Sequence, residues 1–345
     1  MRILHVIQPL PRQSTLLGTS PRLTHTGTAA ISALRELIAS DANQSGVEHF
    51  VVCLGGERSQ TVVRSSGIRD AISLTPPLGN ANWSAAQLRR LIGTIGPVNT
   101  AIAWGGFAGN LAFKLHHEAS WIRASVISGI MGRLNHEGHM IDGGISLPWK
   151  LDVTPRSHDR AAARQRIGLP VSQPCIGLLA DAYAPADATD FTLAVSVLHA
   201  AGLRLSAALP AELPSADRAK QHVQRGTYTR ETAFVNLAPR SIARAADVCI
   251  VASGETFATG LLMCEALTAG AAVVLTRASQ RALGIDLPDL GAVSNRATDL
   301  ARIALPLFDN ESLREDNVRR YREAIAHSPL PNVAQAWHAL ARTMV

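Results

Sequence analysis

The chain has 345 residues, of which 47% are hydrophobic, 17% charged and only 4% aromatic, with a formal charge of +6. So large an apolar share with so modest a charge excludes a disordered chain and leaves room for two α/β domains of ordinary size. The basic balance is almost wholly arginine, lysine being confined to Lys114, Lys150 and Lys220; with no long arginine block and few rings for base stacking, nucleic acid is disfavoured as a partner.

Apolar runs of strand length alternate with helical patterns, which predicts parallel sheets with helices on both faces. In the first half, strands are expected at 3–7, 50–54, 71–74, 100–104 and 123–128, with helices at 28–40, 84–95 and 109–118. A Gly- and Pro-rich break from Asp142-Gly143-Gly144 to Pro155 reads as a hinge, giving domains 1–150 and 151–330. The second half restarts with a helix over 156–167 and strands at 175–179, 204–208 and 233–237, with helices at 187–201 and 215–226 between them. Strands at 248–252 and 272–275 follow, then a short one at 292–293. Helices at 299–307, 312–326 and 333–343 close the chain. No internal repeat of fixed period is visible.

Cys53, Cys175, Cys249 and Cys264 are scattered without metal-ligand or disulfide spacing, so they read as buried free thiols in a reducing compartment. No secretory leader precedes the first strand and no apolar run reaches membrane-spanning length, so the expected location is cytoplasmic. The basic balance leaves open a cleft for diphosphates or peripheral contact with an acidic membrane face.

The densest information lies at 245–274: a buried strand, a polar turn at Ser253-Gly254-Glu255, a helix carrying the lone carboxylate Glu265, and a second buried strand. A strand that opens a helix through small polar residues aims backbone N–H groups at whatever lies above it, which suits a phosphate or diphosphate. A carboxylate in an otherwise apolar helix is costly to bury without hydrogen-bond donors, and sugar or ribose hydroxyls are natural ones.

This stretch resembles the signature of the retaining, family-4-type glycosyltransferases of the GT-B fold, Ser-x-x-Glu-x-Phe-Gly-x-x-x-x-Glu-Ala-x-Ala-x-Gly-x-Pro-Val-Val. Ser241-Ile242-Ala243-Arg244-Ala245-Ala246-Asp247-Val248 is similar to that family's entry into the strand. Met1-Arg2-Ile3-Leu4-His5-Val6-Ile7 resembles its opening strand, and Arg164-Gln165-Arg166-Ile167-Gly168-Leu169-Pro170 the start of its second domain. The resemblance implies two Rossmann-like domains with parallel sheets facing across a cleft, and a last segment, 331–345, that crosses back to the first domain. It also implies transfer of a sugar from a nucleotide-sugar donor to a hydroxyl of a glycan, lipid-linked or small-molecule acceptor, with retention and with no metal or other cofactor.

Carried over residue by residue, Glu265 takes the place that holds the donor ribose. Gly260 and Leu261 offer amides to the diphosphate, and Thr259 caps the helix. The family separates its two glutamates by seven residues, whereas nine separate Glu255 from Glu265. Either Ala258-Thr259 is an insertion and Glu255 keeps the catalytic contact with the donor sugar, or that contact is absent and Glu255 is a loop residue at a helix N-terminus. The family's Arg and Lys after the first strand of the second domain have no counterpart in 179–187, which carries no cation; Arg240, Arg244 and Arg277 stand near enough in sequence to substitute. On the acceptor side the candidates are Gly27 and Thr28 before a helix, Trp104 at a strand end, and the loop residues His136 and His139. Ordinary N-capping explains the first pair equally well, and a solvated loop the last pair. The competing reading is a GT-B-like protein without transfer activity that serves as a binding or partner subunit. A nicotinamide-dependent Rossmann enzyme is disfavoured, since neither domain's first strand leads into Gly-x-Gly-x-x-Gly.

Overall fold

The computed structural model describes residues 2–7, 31, 34–35, 37–39, 47–74, 81–98, 100–104, 123–127, 133–134, 140–141, 153–180, 188–211, 213, 215–226, 231–253, 256–283, 294 and 296–326. The chain divides into two units, Met1–Trp149 with Pro331–Val345, and Lys150–Leu330. The expected helices at 109–118 and 333–343, the short strand at 292–293 and the return of 331–345 to the first domain lie outside the described residues.

In the first unit β1 (Arg2–Ile7), β2 (Glu48–Leu54), β3 (Ile72–Leu74), β4 (Thr100–Trp104) and β5 (Arg123–Ile127) form a parallel sheet in the order β3-β2-β1-β4-β5. The central strand is buried from Ile3 to Ile7, the mark of a parallel sheet covered on both faces. Helices α1 (Gly56–Ser65) and α2 (Ala81–Ile95) belong to this unit, as does a two-stranded antiparallel ladder of β6 (Arg133–Leu134) and β7 (Met140–Ile141). Neither α1 nor the ladder was legible in the sequence. The face that α1 buries is made of Gly56, Ser59, Val62 and Val63, too small and too polar to register as an apolar stripe.

The second unit repeats the plan. Its sheet has the order β10-β9-β8-β11-β12, from β8 (Cys175–Ala180), β9 (Ser206–Pro210), β10 (Thr232–Val235), β11 (Val248–Ala252) and β12 (Ala272–Leu275), all parallel. Its helices are α3 (Arg160–Arg166), α4 (Ala188–Ala200), α5 (Ala216–Arg225), α6 (Pro239–Ala245), α7 (Thr256–Thr268), α8 (Arg277–Leu283), α9 (Ala297–Asp309) and α10 (Glu311–Ala326). The first begins at Arg160 rather than at the expected residue 156, because Asp159 is its N-cap and accepts from the Ala162 amide at 3.0 Å.

Two of the motifs noted in the sequence have a structural role here. Asp247, just before β11, accepts from Arg160 Nη1 (3.1 Å), Arg164 Nη2 (2.5 Å) and the backbone amide of Cys175 (2.7 Å). Arg164 also donates to the carbonyls of Ala245 and Val171. One carboxylate thereby ties α3 to the starts of β8 and β11. Gly177 in β8 lets α6 sit close: a Cβ there would lie 2.8 Å from Ile242 Cγ2 and 3.1 Å from Ala246 Cβ. On the far side, Asn317 of α10 both donates to and accepts from the backbone of Val273, covering the sheet's edge strand as another strand would. The four cysteines are buried and free. Among the described residues no helix is long and apolar enough to cross a membrane.

Candidate functional site

Where the strand order of an open parallel sheet reverses, the crevice beyond the carboxyl ends of the two strands concerned is left open for a ligand. In the second unit those strands are β8 and β11, which end side by side at Ala180 and Ala252. In the first they are β1 and β4, paired at their ends through Ile7 and Trp104, so Trp104 stands at its sheet's switch point.

Beyond β11 the chain is held by a buried set of hydroxyls. The Ser253 amide donates to Ser279 Oγ at 2.9 Å, and that hydroxyl lies 2.9 Å from the Val251 carbonyl and 3.0 Å from that of Ser253. Thr276 Oγ1 is 2.9 Å from Ser279 Oγ and accepts from the Ser279 amide at 3.3 Å, so it N-caps α8. Thr259 closes the set by donating to the Ser253 carbonyl at 3.3 Å. These bonds fix Ser253, at the end of β11, against α7 and α8. Thr276 and Ser279 escaped the sequence reading, although Thr-x-x-Ser after a buried strand is a capping pattern.

Three of the sequence-predicted roles change. Because α7 starts at Thr256, Thr259 is its fourth residue and completely buried, not its cap. Gly260 and Leu261 fall in the second turn, where each amide is claimed by the carbonyl four residues back. The amides that a helix leaves unbonded are those ahead of its fourth residue, here 256–258. The amides that an anion could use therefore sit about one turn earlier than the expected Gly260 and Leu261. Glu255, Gly27, Thr28, His136 and His139 lie outside the described residues.

Glu265 is 4% exposed, on the third turn of α7. It borders a hollow whose other ionisable lining groups are all basic side chains: Arg156 and His158 from the segment before α3, and Arg240 and Arg244 from α6. Thr268 and Ala269 complete the wall, and the space holds about one water-sized body, on the order of 10 Å³. The segment bearing Arg156 and His158 is fastened there, with the Arg156 amide donating to Thr268 O at 3.0 Å and His158 Nε2 lying 3.1 Å from Arg244 O. Arg240 and Arg244, one turn apart on a short helix, present their guanidiniums to the same side. Of the three arginines the sequence offered as substitute cations, these two line the hollow, while Arg277 begins α8 as an exposed residue.

No thiol nucleophile is available near neutral pH in the sheets, since burial pushes Cys53 and Cys175 up to about 12. Among the described residues no group of three or more His, Cys, Asp or Glu side chains is arranged to hold a metal ion.

No protein-family model and no curated protein matches the chain. Solved structures do match, over nearly its full length. HepE of Anabaena in complex with UDP-glucose is similar with a TM-score of 0.57 at 14% identity, covering 100% of this chain and 99% of that one. The UDP-GlcNAc 2-epimerase of Neisseria meningitidis bound to UDP-GlcNAc gives 0.52 at 10% identity, with coverage of 100% and 99%. WaaG, a glycosyltransferase involved in lipopolysaccharide biosynthesis, gives 0.50 at 12% identity, with coverage of 97% and 98%. The fold of the chain is thus GT-B, with two Rossmann-like domains of parallel strands.

Proposed function

We propose that this protein transfers a sugar from a nucleotide-sugar donor to a hydroxyl acceptor, with retention and without a metal or other cofactor. The observation that carries the reading is Glu265, a buried carboxylate on the helix that follows the switch-point strand. A carboxylate accepts from both hydroxyls of a pentose, and the first-turn amides of α7 suit the diphosphate attached to it. Seven to nine residues separate Glu265 from those amides, about 10–14 Å along the axis, and helical side chains lean toward the N-terminus. That spacing fits a pentose and its diphosphate.

In this reading Glu255 meets the donor sugar, and Gly27, Thr28, Trp104, His136 and His139 belong to the acceptor side. The neighbours bound to UDP-glucose and UDP-GlcNAc support a nucleotide-sugar ligand on this fold. A second reading, a binding subunit without turnover, draws on the absence of any cation in 179–187.

A panel of UDP-, GDP- and ADP-sugars tests both readings, scored for nucleotide binding and for release of the nucleoside diphosphate. At least one donor is expected to bind and turn over. Glu265→Ala should weaken nucleotide binding about 10- to 100-fold, the worth of a charged hydrogen-bond acceptor. Binding without turnover selects the subunit reading, and a wild-type chain that binds no nucleotide eliminates both.

A further inference from the structure

Three buried hydroxyls, those of Thr259, Thr276 and Ser279, gather where the switch-point strand β11 ends, and their protons can be followed one by one. Ser279 Oγ has four neighbours at hydrogen-bond distance: the Ser253 amide, Thr276 Oγ1, and the carbonyls of Val251 and Ser253. A hydroxyl has one proton and two lone pairs. The Ser253 amide takes one lone pair, and the proton lies between the two carbonyls. Thr276 then donates into the second lone pair, since the reverse would turn a Ser279 lone pair onto carbonyl oxygens. Thr276 Oγ1 in turn accepts from the Ser279 amide. Each carbonyl has a further donor, the Thr276 amide at 3.2 Å for Val251 and Thr259 Oγ1 at 3.3 Å for Ser253. These protons are all directed at protein, so the set serves to hold elements together. Ser279 belongs to α8, Thr259 closes the first turn of α7, and the two helices pack against each other.

We propose that Ser279 is a positioning residue for the nucleotide. By holding Ser253 from α8 it sets where the first turn of α7, and with it the amides of 256–258, stands beyond β11. Thr259 passes the constraint on, because its hydroxyl ties that turn to the Ser253 carbonyl. Bonds buried this completely are not exchanged for water without opening the packing, so the turn keeps one resting position. Amides fixed beforehand bind an anion without first being ordered. This inference rests on the nucleotide-donor reading and adds to it which residue, itself buried away from a ligand, governs the grip on the diphosphate.

The test is calorimetric titration of the full chain with UDP, GDP and ADP and with the matching nucleosides. In the wild type the preferred diphosphate should bind about tenfold or more tighter than its nucleoside. Ser279→Ala should cut that preference about fivefold, the worth of one hydrogen bond, with nucleoside affinity unchanged. Thr259→Val, of nearly the same shape, cuts the other end of the tie. It should have the same effect, and it decides the matter if the alanine variant fails to fold. The two changes together should lose no more than either alone, because they break one tie in series. Ser206→Ala is the control. It removes an equally buried hydroxyl, bonded to Gln173 at 2.9 Å beside β8, and should lower thermal stability with the preference intact. A folded Ser279→Ala chain that keeps the full preference overturns the proposal and leaves the nucleotide reading standing. So does a loss shared equally by nucleoside and diphosphate, an equal shift in Ser206→Ala, or losses that multiply in the double variant. Absence of nucleotide binding in the wild type removes the reading and the proposal together.

Discussion

Burying a lone carboxylate costs several kcal/mol unless opposite charge or donors accompany it. Glu265 stood out in the sequence as the single charge in the apolar run of its helix, and the structure does bury it. What the sequence did not reveal is its company. Beyond Arg240 and Arg244, Arg156 and His158 come from a segment 107 to 109 residues away, so no spacing rule connects them to it. A second buried ionisable group makes a separate claim about pH. His5, at the centre of β1, is completely buried with Nε2 2.9 Å from His49 Nδ1. Burial, and then the neighbouring imidazole, hold it well below the ordinary 6.5. The unfolded chain therefore takes up a proton below that pH which the folded chain refuses. Stability is full above about pH 6.5 and is lost as the pH falls through that window, at up to ~1.4 kcal/mol per pH unit. Thermal unfolding of wild type and His5→Leu between pH 8 and pH 5 checks this: the variant's decline should be shallower, by up to about 2 kcal/mol across the window. Parallel curves would exclude His5 as the source.

At the scale of elements, the fastening around Asp247 carries the largest expected effect. Its carboxylate serves two arginines and the amide that opens β8, all partly or wholly out of water. Asp247→Ala strands the Arg164 guanidinium, 8% exposed, and leaves the Cys175 amide unbonded, so a loss of about 3–5 kcal/mol is expected in urea unfolding. A loss under 1 kcal/mol would mean the network is replaced by water. The same network explains what was legible. Strands such as β8 and β11, buried at every position, announced themselves as continuous apolar runs. The Ala-Ala-Asp and Arg-x-x-x-Gly-Leu-Pro words were visible too, but they proved to fasten helix to sheet. Elements whose buried face is small, such as α1, or whose start depends on a cap, such as α3, were missed or misplaced. The expected start of α7 slipped by about one helical turn because the sequence does not mark where that helix begins.

On the scale of the molecule, two sheets of identical strand order arise from halves that show no sequence repeat. Right-handed crossovers and buried strands dictate that order, so the sequences are free to diverge. The solved neighbours make the same point, matching nearly the whole chain at 10–14% identity. A consequence can be measured. The hollow of Glu265, the first turn of α7 and the hydroxyl set behind it are all built from the unit Lys150–Leu330, which has its own sheet, core and fastening. Expressed alone, that unit should fold cooperatively and show a dispersed amide spectrum. If the nucleotide site is wholly its own, its affinity for the nucleoside diphosphate should lie within about tenfold of the full chain's, a difference below ~1.4 kcal/mol. A fragment that folds yet binds no nucleotide, beside a full chain that does, would assign part of the pocket to the N-terminal unit. The acceptor side is expected to behave in the opposite way. Gly27, Thr28 and Trp104 belong to the first unit, so the fragment should bind the nucleotide without transferring its sugar.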